Sequence, residues 1–228
     1  MKKVLETKSL NKYFYKPVEF HVLKDINLSI YSGEFVSIVG PSGSGKSTLL
    51  YAISSLDREY EGEVLFNNTE LKSLTNQKLA HLRNRSIGFI FQFHYLLADF
   101  TALDNVMLPG LKLGKLSHEE LEEKAMQKLD LLGIADQATK KVNRLSGGQQ
   151  QRVSVARALI NEPRIIFCDE PTGNLDSKNA KVVFDMLKNL TREFDQTILM
   201  VTHDDSFSSE TDRQIQLLDG KILNREAH

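Results

Sequence analysis

Apolar positions in this chain come in short runs separated by segments with helical spacing. Strand candidates of this kind lie at Val22 to Ile30, Phe35 to Val39, Glu63 to Phe66, Ile87 to Phe91, Arg164 to Cys168, Thr197 to Thr202 and Gln214 to Leu218. Because helix-forming stretches fall between several of them, the pattern predicts an α/β core with a largely parallel sheet. The first strands lack intervening helices and predict an antiparallel patch at one edge. Leu217 to Leu223 carries an Asp219-Gly220 hairpin turn. From about Asp99 to Ile160 the strand signal stops. His118 to Leu132 instead places Leu121, Ala125, Leu129 and Leu132 on one helical face, and Ser117 to Glu120 fits a capping box. An all-α insert is therefore expected, with a core lobe over 1–92 and 161–228 and a helical subdomain over about 93–160.

Two glycine-rich clusters carry the first chemistry. Gly40-Pro-Ser42-Gly43-Ser-Gly45-Lys46-Ser47 follows the run Phe35 to Val39 and precedes the helix-forming stretch Ser47 to Leu56. It fits GxxxxGK(S/T). In that pattern backbone N–H groups form a concave anion nest at a helix N-terminus, the lysine reaches the outer phosphates and the hydroxyl serves Mg2+. Thr48 continues the same first turn. The second cluster, Leu145-Ser146-Gly147-Gly148-Gln149, precedes another helical stretch, Gln150 to Ile160, and offers a second anion site at a helix N-terminus. A serine cap would explain Ser146 alone.

Arg164-Ile-Ile-Phe-Cys-Asp169-Glu170 reads as a buried strand ending in two carboxylates, where an α/β sheet presents its ligand groups. Asp169 suits Mg2+, directly or through water, and Glu170 points beyond the strand toward an attacking water. His203 follows the run Thr197 to Val201 and could donate to a γ-phosphate or place water. Gln92, just after Ile87 to Phe91, has an amide able to sense water and Mg2+ together.

Composition narrows the setting. The 228 residues are 41% hydrophobic, enough for one large domain or two lobes. No run of 18 or more apolar residues and no basic-then-apolar leader occurs, so the chain is expected to be soluble and unexported, with any membrane role coming through a partner. The net charge of −1, from 29 Lys+Arg against 30 Asp+Glu, argues against nucleic acid as a partner. Cys168, the single cysteine, sits in an apolar run and is expected to be a small buried hydrophobe.

Taken in order along the chain, these motifs resemble the ATP-binding cassette (ABC) transporter ATPases over essentially the whole length. The pattern falls on an aromatic near Tyr13, Gly40 to Ser47, Gln92, Leu145 to Gln149, Asp169 and Glu170, Asn174-Leu175-Asp176, and His203. The resemblance implies a P-loop NTPase fold, the cofactors ATP and Mg2+, and a head-to-tail homodimer. Two ATP molecules would lie between the phosphate loop of one copy and Ser146, Gly147 and Gly148 of the other. It further implies that Tyr13 stacks on adenine, that Lys46, Mg2+ and His203 meet the phosphoryl charge, and that Asp176 couples the two sites.

Gly88 to Val106 and Glu170 to Ala180 are similar to the lipoprotein-releasing (LolD-type) branch, within a wider group that includes macrolide-export and cell-division ATPases. That resemblance implies integral membrane permease subunits as partners and a place on the cytoplasmic face of the inner membrane. It also implies a groove for a coupling helix lined by Gln92 to Phe100, which holds Phe93, Tyr95, Leu96, Leu97 and Phe100. The resemblance favours lipoprotein release from the inner membrane, with drug or peptide export and mechanical control of cell-wall hydrolases as the alternatives.

Overall fold

The computed structural model describes residues 2–223. Along the chain run β1 (Lys3–Phe14), β2 (Phe20–Tyr31), β3 (Phe35–Val39), α1 (Lys46–Ile53), β4 (Glu61–Phe66), β5 (Thr69–Glu70), α2 (Asn76–Ser86), β6 (Ile87–Phe91), α3 (Ala102–Leu113), α4 (His118–Leu131), α5 (Gly147–Leu159), β7 (Ile165–Asp169), α6 (Ser177–Phe194), β8 (Thr197–Val201), α7 (Asp205–Ser208), β9 (Arg213–Leu218) and β10 (Lys221–Leu223). They form two compact units, residues 1–80 with 190–228, and residues 81–189.

In the first unit, β2-β1-β4-β5 make the expected antiparallel patch. Its strand β1 has little sequence signal, because its apolar positions Val4, Leu5 and Leu10 are broken by bulges and Thr7 and Lys12 are buried among them. Leu10, Leu23, Ile26 and Ile30 from β1 and β2 are fully buried, each stabilising the fold by about 1.5–3 kcal/mol relative to exposure. A second ladder runs β10-β9-β3-β8, with β3 parallel to both β8 and β9. Every residue of β8 is buried and β3 is buried up to Ile38, the mark of strands covered on both faces. The hairpin between β9 and β10 turns on Asp219 (φ 49°) and Gly220 (φ 77°), as its Asp-Gly pair predicts.

The second unit holds the parallel pair β6–β7, whose register sets Phe91 opposite Asp169, and the helices of the insert. Helices α3, α4 and α5 pack on one another and α5 packs on β6. The capping box of α4 forms as read, Ser117 accepting from the Glu120 amide and Glu120 from the Ser117 amide. Helix α5 begins at Gly147, three residues before the predicted Gln150, because Ser146 and Gln149 build a capping box of their own. Helix α1 stops at Ile53 rather than Leu56, since Ser55 turns left-handed (φ 64°). Cys168 is fully buried, and burial pushes its thiol pKa far up, which suits an inert core residue. No helix among the described residues is long and apolar enough to cross a membrane.

Candidate functional site

The phosphate-type loop lies between β3 and α1 in the first unit. At Gly40 a Cβ would fall 2.0 Å from the carbonyl oxygen of Leu217 on β9, so only glycine lets the loop leave the strand here. Gly45, at φ 100°, is the N-cap of α1. It offers no side-chain cap, and no carboxylate lies in the first turn, which suits this helix end to an anion. Ser44 Oγ is buried without a hydrogen-bond partner. Lys46 Nζ donates to the carbonyls of Gly40 (2.8 Å) and Pro41 (3.0 Å), neutral acceptors that an anionic ligand would outcompete. Ser42 and Gly43 are exposed at the loop's crest, and Ser47 and Thr48 are partly exposed on the first turn of α1. The β9–β10 hairpin braces this loop from behind: the Gly220 amide donates to Ser44 O (3.2 Å), and Gly220 O accepts from the Lys24 amide (2.8 Å). Sequence reasoning found the turn but not this use of it.

Tyr13 stands near the end of β1, paired in register with His21 of β2. Their rings stack at 4.1 Å with planes 15° apart, and Tyr15 lies alongside Tyr13 at 6.2 Å. His21 Nε2 is 3.0 Å from Asn11 Oδ1, which also accepts from the Asp25 amide. Beneath them Lys12 is buried and ion-paired with Asp57 at 2.7 Å. His203 is exposed two residues past β8. Its neighbour Asp204 caps α7, and the hydrogen bonds it accepts there, led by that from Ser206, hold its carboxyl below the usual carboxylate range.

In the second unit Asp169 closes β7 and is nearly buried, while Glu170 is partly exposed just beyond the strand. Glu170 adopts φ 51°, a left-handed conformation that costs a non-glycine residue about 1–3 kcal/mol and persists only where the surrounding structure fixes it. Gln92 leaves β6 beside it. Gln92 and Asn174 bond reciprocally: Gln92 Nε2 donates to Asn174 Oδ1 and Asn174 Nδ2 to Gln92 O, both at 3.1 Å.

Ser146 accepts from the Gln149 amide (3.3 Å) and Gln149 Oε1 from the Ser146 amide (3.0 Å), so the Gln149 side chain braces the start of α5. Gly148 lies against Asn179, where a Cβ would come within 2.5 Å of the amide oxygen. Asn179 in turn donates from its backbone (2.9 Å) and side chain (2.6 Å) to the Asp176 carboxylate, which those bonds hold below the usual carboxylate range. Asn179 escaped the sequence reading: Asp176 suits a helix N-cap, but an Asn three residues later is not the Glu or Gln of a capping box. Among the described residues no group of three or more His, Cys, Asp or Glu side chains could hold a metal by itself.

The segment from Phe93 to Phe100 is as apolar as predicted and leaves Phe93, Tyr95, Leu97 and Phe100 exposed. It is nevertheless anchored: Arg157 of α5 donates to His94 O and Tyr95 O, each at 2.7 Å, and Asn105 of α3 bonds both the amide and the carbonyl of Leu97.

Residues 23–173 match the family described as ABC transporter. The chain is 49% identical over 201 residues to the lipoprotein-releasing system ATP-binding protein LolD 1 of Chlorobium chlorochromatii (strain CaD3), covering 88% of this chain and 82% of that one. It is 44% identical over 221 residues to the LolD protein of Porphyromonas gingivalis (strain ATCC BAA-308 / W83), covering 97% and 99%. Among solved structures, a dimeric bacterial ABC transporter cassette superposes with a TM-score of 0.88 at 42% identity, covering 96% of this chain and 97% of that one. A dimeric post-hydrolysis state of that cassette, bound to ADP and Pi, gives the same score and identity over 97% of each chain.

Proposed function

The chain belongs to the ABC transporter ATP-binding family, and from that premise we propose that it is the ATP-hydrolysing subunit of a lipoprotein-releasing system. The observation that carries the branch is the 44–49% identity to LolD proteins over most of the chain. What supports the chemistry is the phosphate-type loop. Its helix end is uncapped, its lysine rests on exchangeable carbonyls, and a buried hydroxyl, Ser44 Oγ, has no partner, which together suit a triphosphate.

In this reading Gly40, Ser42, Gly43, Gly45 and Thr48 surround the phosphates with backbone and hydroxyl donors, Lys46 meets the outer phosphates and Tyr13 stacks on adenine. Ser47, Asp169 and Gln92 are oxygen donors suited to a hard cation, and the few carboxylates fit Mg2+ held mainly by substrate phosphates. When bound, Mg2+ would neutralise charge on the phosphate oxygens. Glu170 takes the proton of the attacking water as its oxygen bonds to the γ-phosphorus and the bond to ADP breaks. His203, together with Ser146, Gly147 and Gly148 of a second copy, adds donors toward the transferred phosphoryl, with Gln149 bracing that helix end. Asp176 couples the two sites.

ATP thus acts as a cross-link in a homodimer, and hydrolysis removes the γ-phosphate that bridges it. A cytoplasmic helix of a membrane permease docks on the exposed Phe93 to Phe100 segment, placing the protein on the inner face of the membrane. The test is mass spectrometry of proteins that copurify, in mild detergent, with a tagged Glu170→Gln variant, which should bind ATP and accumulate as a dimer without turnover. A permease pair carrying bound lipoprotein is the expected result. A cell-wall hydrolase or an efflux adaptor in its place would overturn the branch, and normal turnover by the variant would overturn the role of Glu170.

A further inference from the structure

We infer that Gln151 is a positioning residue for ATP hydrolysis, setting the aim of Glu170 from the helix that Ser146 caps; this rests on the ATPase reading above. Gln151 lies one helical turn into α5 and is wholly buried. A buried amide is destabilising unless its polar atoms are used, and here its donor end is. Nε2 donates to Pro171 O at 2.5 Å, with a longer contact to Phe91 O at 3.4 Å. Those two carbonyls belong to the residue directly after Glu170 and the residue directly before Gln92. One side chain therefore gathers the chain on the far side of the proposed base and on the near side of the proposed water-sensing glutamine.

The need for such a tie follows from the backbone of Glu170. Its left-handed φ of 51° persists only where the surroundings fix it from both sides. On the inner side β7 holds Asp169 in register with Phe91. On the outer side the turn closes through the Gly173 amide to Glu170 O at 3.0 Å, and the intervening Pro171, which cannot donate, is pinned through its carbonyl by Gln151. Loss of that bond would leave a buried carbonyl without its donor and allow the Glu170 turn to relax. Because Gln151 sits only a few residues after Ser146, Gly147 and Gly148, any shift of that helix start on meeting nucleotide would pass to Glu170 through a single hydrogen bond. Gln151 Oε1 is buried with no hydrogen-bond partner, so the side chain acts here through its donor alone.

The experiment uses three variants of the full chain: Gln151→Met, similar in length but without a donor; Gln151→His, which keeps an N–H; and Gln151→Met in the Glu170→Gln background. Thermal stability, equilibrium ATP binding, and steady-state and single-turnover hydrolysis are measured for each. Misplacing a catalytic group by about 1 Å costs on the order of 100-fold. Gln151→Met is therefore expected to lower kcat by roughly 10- to 100-fold with ATP affinity and KM within about 2-fold, and Gln151→His to recover much of the loss. Added to Glu170→Gln, the Met substitution should reduce the residual hydrolysis little further, because the two residues act as one unit. A folded Gln151→Met with unchanged kcat overturns the inference. So do losses that add fully in the double variant, or that track stability across Met and His alike. If Met does not fold, Gln151→Leu, which also lacks a donor, carries the comparison by the same criteria. Normal turnover by Glu170→Gln alone would instead overturn the role of Glu170, and absence of ATP turnover in the parent chain would mark failure of the underlying ATPase reading.

Discussion

Removing either partner of the Lys12–Asp57 ion pair should have very different consequences. The Lys12 side chain is 2% exposed and Asp57 29%, with Nζ and Oδ2 2.7 Å apart. Glu59, almost fully exposed, stands 3.9 Å from the same ammonium. At an effective dielectric of 20, two unit charges at 2.7 Å attract by roughly 6 kcal/mol, while burying an ammonium costs several kcal/mol. The two nearly cancel, so the pair as a whole adds little over a well-packed apolar residue. Lys12→Met keeps the stem that fills the space and leaves Asp57 able to hydrate; it should shift stability by no more than about 1 kcal/mol in either direction. Asp57→Asn removes most of the attraction and leaves the buried charge, with Glu59 and the Phe14 ring, whose centroid is 5.2 Å from Nζ, to compensate. It should cost about 2–4 kcal/mol, somewhat below the usual penalty for orphaning a buried charge.

Urea unfolding of the two variants and the parent, followed by tyrosine fluorescence and circular dichroism, measures both. For a chain of this length Asp57→Asn corresponds to a fall in Tm of about 5–15 °C. The functional consequence is local to the first unit: Asp57 follows α1, and Lys12 precedes Tyr13, so the pair ties the ring-bearing strand to the chain leaving the phosphate-loop helix. Asp57→Asn should therefore weaken ATP binding where Lys12→Met does not. Equal destabilisation by the two substitutions, or a larger effect of Lys12→Met, would refute the reasoning.

Tyr13→Ala should weaken ATP binding by about 5- to 150-fold, from the 1–3 kcal/mol typical of base–aromatic stacking, and leave tripolyphosphate binding unchanged; isothermal titration with both ligands reads the difference. Gly220→Ala places a Cβ 2.0 Å from Val22 O at a φ of 77°, and should cost about 2–4 kcal/mol in urea unfolding while lowering ATP affinity through the lost brace on Ser44. Asn179→Ala should raise the Asp176 pKa, read by carbon-13 NMR of the carboxyl. Since the folded-state pKa is depressed, the linked stabilisation is present above the unfolded value of about 4 and fades as pH falls through the folded value; in Asn179→Ala that acid-side loss should shrink.

What could be read in the sequence and what could not divide along a physical line. Strands buried on both faces, such as Phe35 to Val39 and Thr197 to Val201, announce themselves as nearly continuous apolar runs, and the groups at their ends are found by counting. Gly40 to Ser47, Asp169, Glu170 and His203 were legible for that reason. Strand β1 was not, since its bulges and buried Thr7 and Lys12 erase the alternation on which strand recognition depends. The supports of the site were hidden more deeply. Each of Gln151, Asn179 and Gly220 acts by touching backbone or carboxylate groups brought near by folding, and its residue type alone carries no signal of that.

One trace of Gln151 did exist. It lies among Gly148, Val155 and Leu159, which share the buried face of α5, and a long amide on such a face is destabilising unless folding supplies it a partner. The sequence could thus flag that α5 had to meet a buried acceptor, though not which one. Pro171 O is that acceptor because the residue just past β7, Glu170, is left-handed, a conformation no propensity would assign to it. A polar residue where the pattern calls for an apolar one, opposite a residue in a backbone region it disfavours, amounts to two local rules broken at one contact. On the proposed reading of Glu170 such paired violations give up stability to hold the base, and they direct the search for supporting residues to the buried faces of helices rather than to the exposed loops that carry the motifs.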